Sequence, residues 1–164
     1  MKQYLAKNTH LPEGFQFGTS WKSPSNIALV KYWGKYGVQL PANPSISMTL
    51  SEAYSQTKIS AEPASERSID FYFHGKPNST FVPKIESFLR RIDEHMPYLK
   101  KTRFVIESEN SFPHSAGIAS SASAMSSLAL GLAEMDDRLA KEPSAENGFL
   151  KKASFLSRLA SGSA

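Results

Sequence analysis

The sequence predicts a single domain of the α+β class. Two observations carry that prediction. The apolar period changes along the chain, from alternation in its first half to a helical spacing of about 3.6 residues after residue 82. The elements also run strands first, then helix, strand, helix, helix, rather than in regular strand–helix alternation. With 164 residues, 40% apolar and 21% charged, the chain has enough material for one core.

Taken in order, residues 1–24 are polar with scattered aromatics and read as an arm or irregular edge. Ile27 to Trp33 reads as a strand, and its continuous run Ile27-Ala-Leu-Val30 suits burial on both faces. Gly37, Pro41, Asn43 and Pro44 mark a loop over 37–45. Ile46 to Leu50 and Tyr54 to Ala61 read as two strands with a short turn near Ser51-Glu52. Ile69 to Phe73 is a strand, with a turn over His74 to Asn78. Ile85, Phe88, Leu89, Ile92 and Met96 fall at i, i+3, i+4, i+7 and i+11, the stripe of an amphipathic helix. Pro83 suits its first turn and Pro97 its end. Arg103 to Glu109 is a strand with Phe104 and Ile106 on one face and Glu107 and Glu109 on the solvated one. A loop over Asn110 to Ser115 leads to a helix from about Gly117 to Met135. A polar connection over 136–146 and a last helix from Asn147 to Leu159 follow.

Composition narrows the function. The net charge of +4 suits an anionic small substrate, and its basic residues form only short clusters such as Lys100-Lys101-x-Arg103, not a nucleic-acid-binding block. The chain has no cysteine, so disulfides and thiolate metal sites are excluded. His10, His74, His95 and His114 lack ligand spacing, so no metal site is expected. The N-terminus has no apolar signal core and no run spans a bilayer, which points to a cytoplasmic protein without membrane insertion.

Three segments carry candidate chemistry. Phe112-Pro-His-Ser-Ala-Gly-Ile-Ala-Ser-Ser-Ala-Ser123 opens a helix with small residues, which let a ligand approach the backbone. The first N–H groups of a helix are unpartnered within it and sit at the positive end of its dipole, so they suit a phosphate. No Walker lysine is present, so hydroxyls of Ser120, Ser121 and Ser123 and backbone donors would do the work; the plain alternative is close helix–sheet packing. In Asn26 to Lys35, the lysines Lys31 and Lys35 offer point charges for phosphate and Tyr32 a directional hydroxyl, or else they are snorkelling surface residues around a packing Trp33. Arg158-Leu-Ala-Ser-Gly-Ser-Ala164 ends a helix in hydroxyls that suit an anion, or forms a flexible tail.

These segments resemble a known family. Ser23-Pro-Ser-Asn-Ile-Ala-Leu-Val-Lys-Tyr-Trp-Gly-Lys35 and Leu40-Pro-Ala-Asn-Pro-Ser-Ile-Ser-Met-Thr-Leu50 are similar to the first signature of the diphosphomevalonate decarboxylases and the segment after it. The serine loop resembles their ATP loop, shared more loosely across the GHMP kinases, and Arg158 to Ala164 resembles their third signature. All four occur in family order. The resemblance implies that residues 1–164 are the N-terminal ATP- and substrate-binding domain of a GHMP kinase, related to the second domain of ribosomal protein S5. It implies ATP and Mg2+ as cofactors, mevalonate 5-diphosphate as substrate, isopentenyl diphosphate and carbon dioxide as products, and a possible homodimer.

By the same resemblance, Tyr32, Lys35, Ser161, Gly162 and Ser163 would bind substrate, and Asn26 would orient its reacting end. Gly117, Ala119, Ser120 and Ser121 would bind ATP, while Lys31 and Trp33 would be structural. The chain departs from the family pattern at His114-Ser115 and Tyr36-Gly37. The family's catalytic aspartate and arginine have no counterpart before Ala164, so the resemblance implies an N-terminal part that is inactive alone. A related small-molecule kinase such as a mevalonate 3-kinase, and a non-catalytic anion-binding homologue, are the competing readings.

Overall fold

The computed structural model describes residues 10–31, 33–113, 117–140 and 146–162, with the side chains of residues 146 and 147 outside the description. Seven strands occur among them: β1 (Phe17–Val30), β2 (Lys35–Tyr36), β3 (Leu40–Pro41), β4 (Ile46–Pro63), β5 (Ser68–Phe73), β6 (Lys76–Pro77) and β7 (Thr102–Asn110). The helices are α1 (Val82–Ile92), α2 (Ser120–Leu139) and α3 (Glu146–Ala160). Five strands form one sheet in the order β1-β4-β7-β5-β6, while β2 and β3 form a separate hairpin. β5 and β7 are parallel, joined through α1; the other neighbours run antiparallel. This is the α+β architecture that the change of period predicts.

One face of the sheet carries the helices. On β7, Thr102, Phe104, Ile106 and Ser108 are buried, whereas Arg103, Glu107 and Glu109 are exposed, the period of two expected of a sheet covered on one side. Ser55, Thr57, Ile59 and Ala61 continue the covered face on β4. α1 adds Ile85, Phe88, Leu89 and Ile92, its predicted stripe. Leu132 and Met135 of α2 and Leu156 of α3 close the core with Tyr98 and Leu99.

Several boundaries differ from the sequence reading, each for a physical reason. Residues 17–24 belong to β1 rather than to an arm. Their inward row includes polar Thr19 and Ser23, and the Thr19 hydroxyl and Trp21 indole N–H both donate to Glu134 on α2. Hydrogen bonding to the helix replaces apolar alternation there, so the hydrophobic pattern is silent. The two strands expected over 46–61 are one strand with a bulge: Pro24 pairs with Tyr54 and Ser25 with Leu50, leaving Ser51, Glu52 and Ala53 unmatched. Ser111 braces the bulge, accepting from Tyr54 N–H at 2.9 Å and donating to Glu52 C=O at 2.9 Å.

The run Ile27 to Val30 is a strand but not a buried one. It extends past the helix layer, leaving Leu29 66% exposed, with exposed Ile46 and Met48 across the pair. β1 ends at Val30, and Trp33 beyond it is 80% exposed rather than packed. α1 stops at Ile92 instead of Met96; one further turn closes through Met96 N–H to Ile92 C=O at 2.9 Å, and Pro97 opens a 3-10 turn. Arg67 holds this corner, pairing with Asp93 and donating to Leu99 C=O at 2.9 Å. α2 starts at Ser120 rather than Gly117 and runs on to Leu139, because its polar last turns are used. Asp136 accepts from the Tyr98 hydroxyl at 3.0 Å and from the Lys152 amine, and Glu134 pairs with Arg138. Burial pushes the Tyr98 hydroxyl up, so it remains a donor to Asp136.

The contact between α2 and the sheet is close. A Cβ on Gly131 would overlap Ile59 Cδ1 and lie 3.2 Å from Thr19 Cγ2. We expect Gly131→Val to cost about 3 kcal/mol through overpacking, while Gly18→Ala, which faces open space, changes stability by less than about 0.5 kcal/mol. Urea midpoints with unchanged slopes check both. Lys152→Ala leaves Asp136 buried without its cation and is expected to cost about 3 kcal/mol in the same measurement, and a loss under about 1 kcal/mol would contradict that pairing.

Candidate functional site

The approach to α2 is bent by two left-handed residues, Gly117 at φ 77° and Ala119 at φ 53°. The conformation suits glycine, but an alanine there costs about 1 kcal/mol. Ala119 caps the helix with its carbonyl, which accepts from Ala122 N–H at 2.9 Å and Ser123 N–H at 3.2 Å. The N–H groups of Ser120 and Ser121 open the helix and have no partner inside it. The loop is tied to the sheet by the Ser25 hydroxyl, which donates to Ile118 C=O.

Hydroxyls, rather than apolar side chains, fix the first turns of α2 on the sheet. Ser123 shares a hydrogen bond with Ser55 at 2.7 Å, and Ser55 donates to Asn110 Oδ1 at 2.8 Å. One turn later, Ser127 and Thr57 are 2.7 Å apart. Ser123 is therefore consumed in packing and is not a loop hydroxyl open to a ligand, as its place in the sequence had suggested. Ser120 and Ser121 remain on the edge of a cleft between α1, α2, β5 and β7.

The floor of that cleft is apolar, formed by Ile106 of β7, Ile85 of α1, and Met125 and Leu128 of α2. Phe71, Phe73 and Phe81 make an aromatic wall, with Phe81 5.7 Å and 5.8 Å from the other two rings. Asn110 and Ser108 supply polar groups, and among the described residues no carboxylate lines the cleft. The lining is thus largely apolar with a few polar groups at its edge, the composition of a small-molecule pocket.

Lys84 stands at that edge, its amine donating to the Ser121 hydroxyl. Burial lowers its pKa, and so does the nearby charge of Lys35. The sequence reading missed Lys84. A signal existed: it lies in the first turn of α1, which has no acidic residue, and a cation at that end opposes the helix dipole. Lys35, by contrast, was expected. Its amine donates to Gln39 Oε1 at 2.6 Å, and a Cβ on Gly162 would lie 2.9 Å from Lys35 Cε, so the first and last motifs of the chain meet there. Ser161 N–H donates to Ser157 C=O at 2.8 Å, continuing the helical turn into this contact rather than forming a loose tail.

Asn26 is half-buried opposite Thr49, on the side-chain row that alternates with Ser25. Gly117 is exposed, and Ala119 supplies the cap. Tyr32 and Ser163, with His114 and Ser115, lie outside the described residues. Lys31 is exposed, and Asn43 holds the following backbone by accepting Trp33 N–H at 2.6 Å. Among the described residues there is no cluster of three metal-ligating side chains, and no helix is long and apolar enough to cross a membrane. The donor set at the cleft is hydroxyl, amine and backbone N–H. It fits a magnesium ion that arrives on a nucleotide's phosphates, with the Ser120 hydroxyl as a protein ligand, better than an ion held by protein carboxylates.

Comparison with known proteins places this geometry. Residues 23–164 match the family model of the diphosphomevalonate decarboxylase-like N-terminal domain. The diphosphomevalonate decarboxylase of Saccharomyces cerevisiae is 36% identical over 132 residues, covering 73% of this chain and 33% of that protein. The human diphosphomevalonate decarboxylase is 30% identical over 128 residues, covering 69% of this chain and 32% of its own length. The crystal structure of mevalonate diphosphate decarboxylase from Staphylococcus aureus superposes with a TM-score of 0.72 at 31% identity, covering 91% of this chain and 43% of that one. The Enterococcus faecalis enzyme, described for mevalonate diphosphate-mediated ATP binding, gives 0.71 at 31% identity, over 91% of this chain and 44% of that one. The chain thus spans about a third of the length of these curated relatives. With its α+β sheet, its serine-opened α2 and its two converging lysines, the chain belongs to the diphosphomevalonate decarboxylase-like N-terminal domain family, within the GHMP kinase fold.

Proposed function

We propose that this chain is the ATP- and substrate-binding domain of a mevalonate 5-diphosphate decarboxylase acting in the cytoplasm, with residues 1–164 forming one such domain. The observation that carries the reading is Lys84 at the N-terminus of α2, its amine on the Ser121 hydroxyl, with the charge of Lys35 near enough to add to the lowering of its pKa by burial. Among the described residues that line the cleft there is no carboxylate to balance Lys84, so an anion would supply its counter-charge. A nucleotide triphosphate beside a diphosphate ester supplies such anions.

In this reading the nucleotide base enters the cleft walled by Phe71, Phe73 and Phe81, with Asn110 at its edge. Its phosphates lie on the N–H groups of Ser120 and Ser121 and on the Lys84 amine. Magnesium, carried with them, would neutralise charge on the transferred group. Lys35 holds the substrate diphosphate, with Ser161 and Gly162 beside it and Tyr32, Asn26 and Ser163 as further contacts. Phosphoryl transfer to the 3-hydroxyl makes a leaving group. The phosphate leaves with the pair of its C–O bond, and the pair freed from the C–C bond as the carboxylate departs as carbon dioxide becomes the double bond of isopentenyl diphosphate. This chain's contribution is to hold two polyanions close and in line, which is where such catalysis draws most of its rate.

Titration calorimetry on the 164-residue chain should detect both a non-hydrolysable ATP analogue and mevalonate 5-diphosphate, while the chain alone releases no carbon dioxide from the natural pair. Absence of binding by both ligands would overturn the reading, and carbon dioxide release would overturn its division of labour. Replacing Lys84 by Met should weaken the ATP analogue roughly tenfold, the scale of one charge-assisted hydrogen bond. Its thermal midpoint should barely move, since the amine makes its described contact at an exposed serine hydroxyl. Unchanged nucleotide affinity in that variant would remove Lys84 from the site.

A further inference from the structure

The β2–β3 hairpin that carries Lys35 is poorly equipped to hold its own position. It pairs only Lys35 with Pro41 and Tyr36 with Leu40, closed by Ala42 N–H to Gly34 C=O at 3.1 Å. Gly34, Gly37 and Gln39 all have positive φ, and Tyr36, Val38 and Leu40 remain exposed. A hairpin of this size with so little burial is marginal in water. Yet the Lys35 side chain is seated, its stem against Gly162 and its amine on Gln39 Oε1. The hairpin's placement must be imposed from outside it.

Two described contacts do this, both from the end of α3. One is the packing of Gly162 against Lys35 and Gln39 C=O. The other is a hydrogen bond from Arg158 Nη1 to Val38 C=O at 3.2 Å. The guanidinium is braced, lying 5.8 Å over the Phe155 ring, and its charge sits in the last turn of α3 where it complements the helix dipole. Val38 precedes Gln39, whose side-chain oxygen receives the Lys35 amine. A fixed Val38 carbonyl therefore fixes Gln39, and Gln39 fixes the direction of the lysine.

We propose that Arg158 is a positioning residue of the anion site: through Val38 it sets the hairpin, and with it the Gln39 side chain that receives the Lys35 amine. This rests on the binding role assigned above to Lys35, but its test does not need that role. Arg158 touches neither anion in this account. It transmits the position of α3 to the hairpin, and so links the third sequence motif to the first.

The titration of the Lys84 amine, followed by NMR in the 164-residue chain, responds to burial first and also to the charge of Lys35, so a displaced hairpin registers in it. In the wild-type chain it lies below the ordinary 10.5. R158M keeps the aliphatic stem along Phe155 and removes the donor, so it should shift the Lys84 titration upward. K35M should shift it upward as well, and R158M should add nothing on the K35M background. R158K, which retains a donor, should restore most of the wild-type value even if R158M proves too unstable to titrate. With inorganic pyrophosphate as probe, R158M should bind roughly tenfold more weakly, while ADP affinity stays within about twofold. A Lys84 titration that moves in K35M but not in R158M overturns the proposal. If the wild-type chain fails to bind pyrophosphate, the binding role of Lys35 falls, and the Lys84 titration still decides whether Arg158 positions the hairpin.

Discussion

The close seat of α2 on the sheet is the constraint from which the site follows. Gly131 lies against Ile59 and Thr19 with no room for a methyl group, and Ser123 and Ser127 exchange hydrogen bonds with Ser55 and Thr57 at the near end. A helix with larger residues on this face would stand further off and lose those hydroxyl pairs together. The seat fixes where the helix begins and which way its first N–H groups point. It also explains the tolerance of a left-handed alanine at the cap: hydroxyl contacts on both sides of Ala119, Ser25 to Ile118 and Ser55 to Ser123, hold the bend.

The remaining pieces are brought to that helix end by different routes. α1 delivers Lys84, because Pro83 starts it at the cleft and Phe88, Leu89 and Ile92 bury its far side. α3 delivers the Ser161-Gly162 turn, because Lys152 is clamped to Asp136 and Leu156 is in the core. Lys35 comes last, on a hairpin that the end of α3 holds. The result is a mouth of hydroxyls and amines over an apolar, aromatic-walled cleft.

How much of this was legible in the sequence varied with the kind of force involved. α1 and β7 could be read directly, since their burial is apolar and periodic. The first half of β1 could not, because Thr19 and Trp21 both donate to Glu134 on α2, and Trp21 also stacks on the sequence-distant Phe149. Of the residues the motifs singled out, Lys35 and Gly162 meet, and Ser120 and Ser121 line the cleft. Lys84 was invisible to motif reading, being an ordinary lysine on an amphipathic helix until the sheet brings it to Ser121. The exposure of Ile27 to Val30 was likewise unreadable, because an apolar run fixes neither where the helix layer ends nor which part of a strand lies beyond it.

The claim that most needs direct sight is that the start of α2, Lys84 and the phenylalanine-walled cleft together form one nucleotide site. A crystal structure of the chain with a non-hydrolysable ATP analogue and magnesium would show it. The account predicts the base between Phe81 and the floor residues Ile106 and Met125, and the terminal phosphates within hydrogen-bond reach of Ser120 N–H, Ser121 N–H and Lys84 Nζ. A nucleotide seated elsewhere, with Lys84 still turned to Ser121 and the cleft empty, would contradict it.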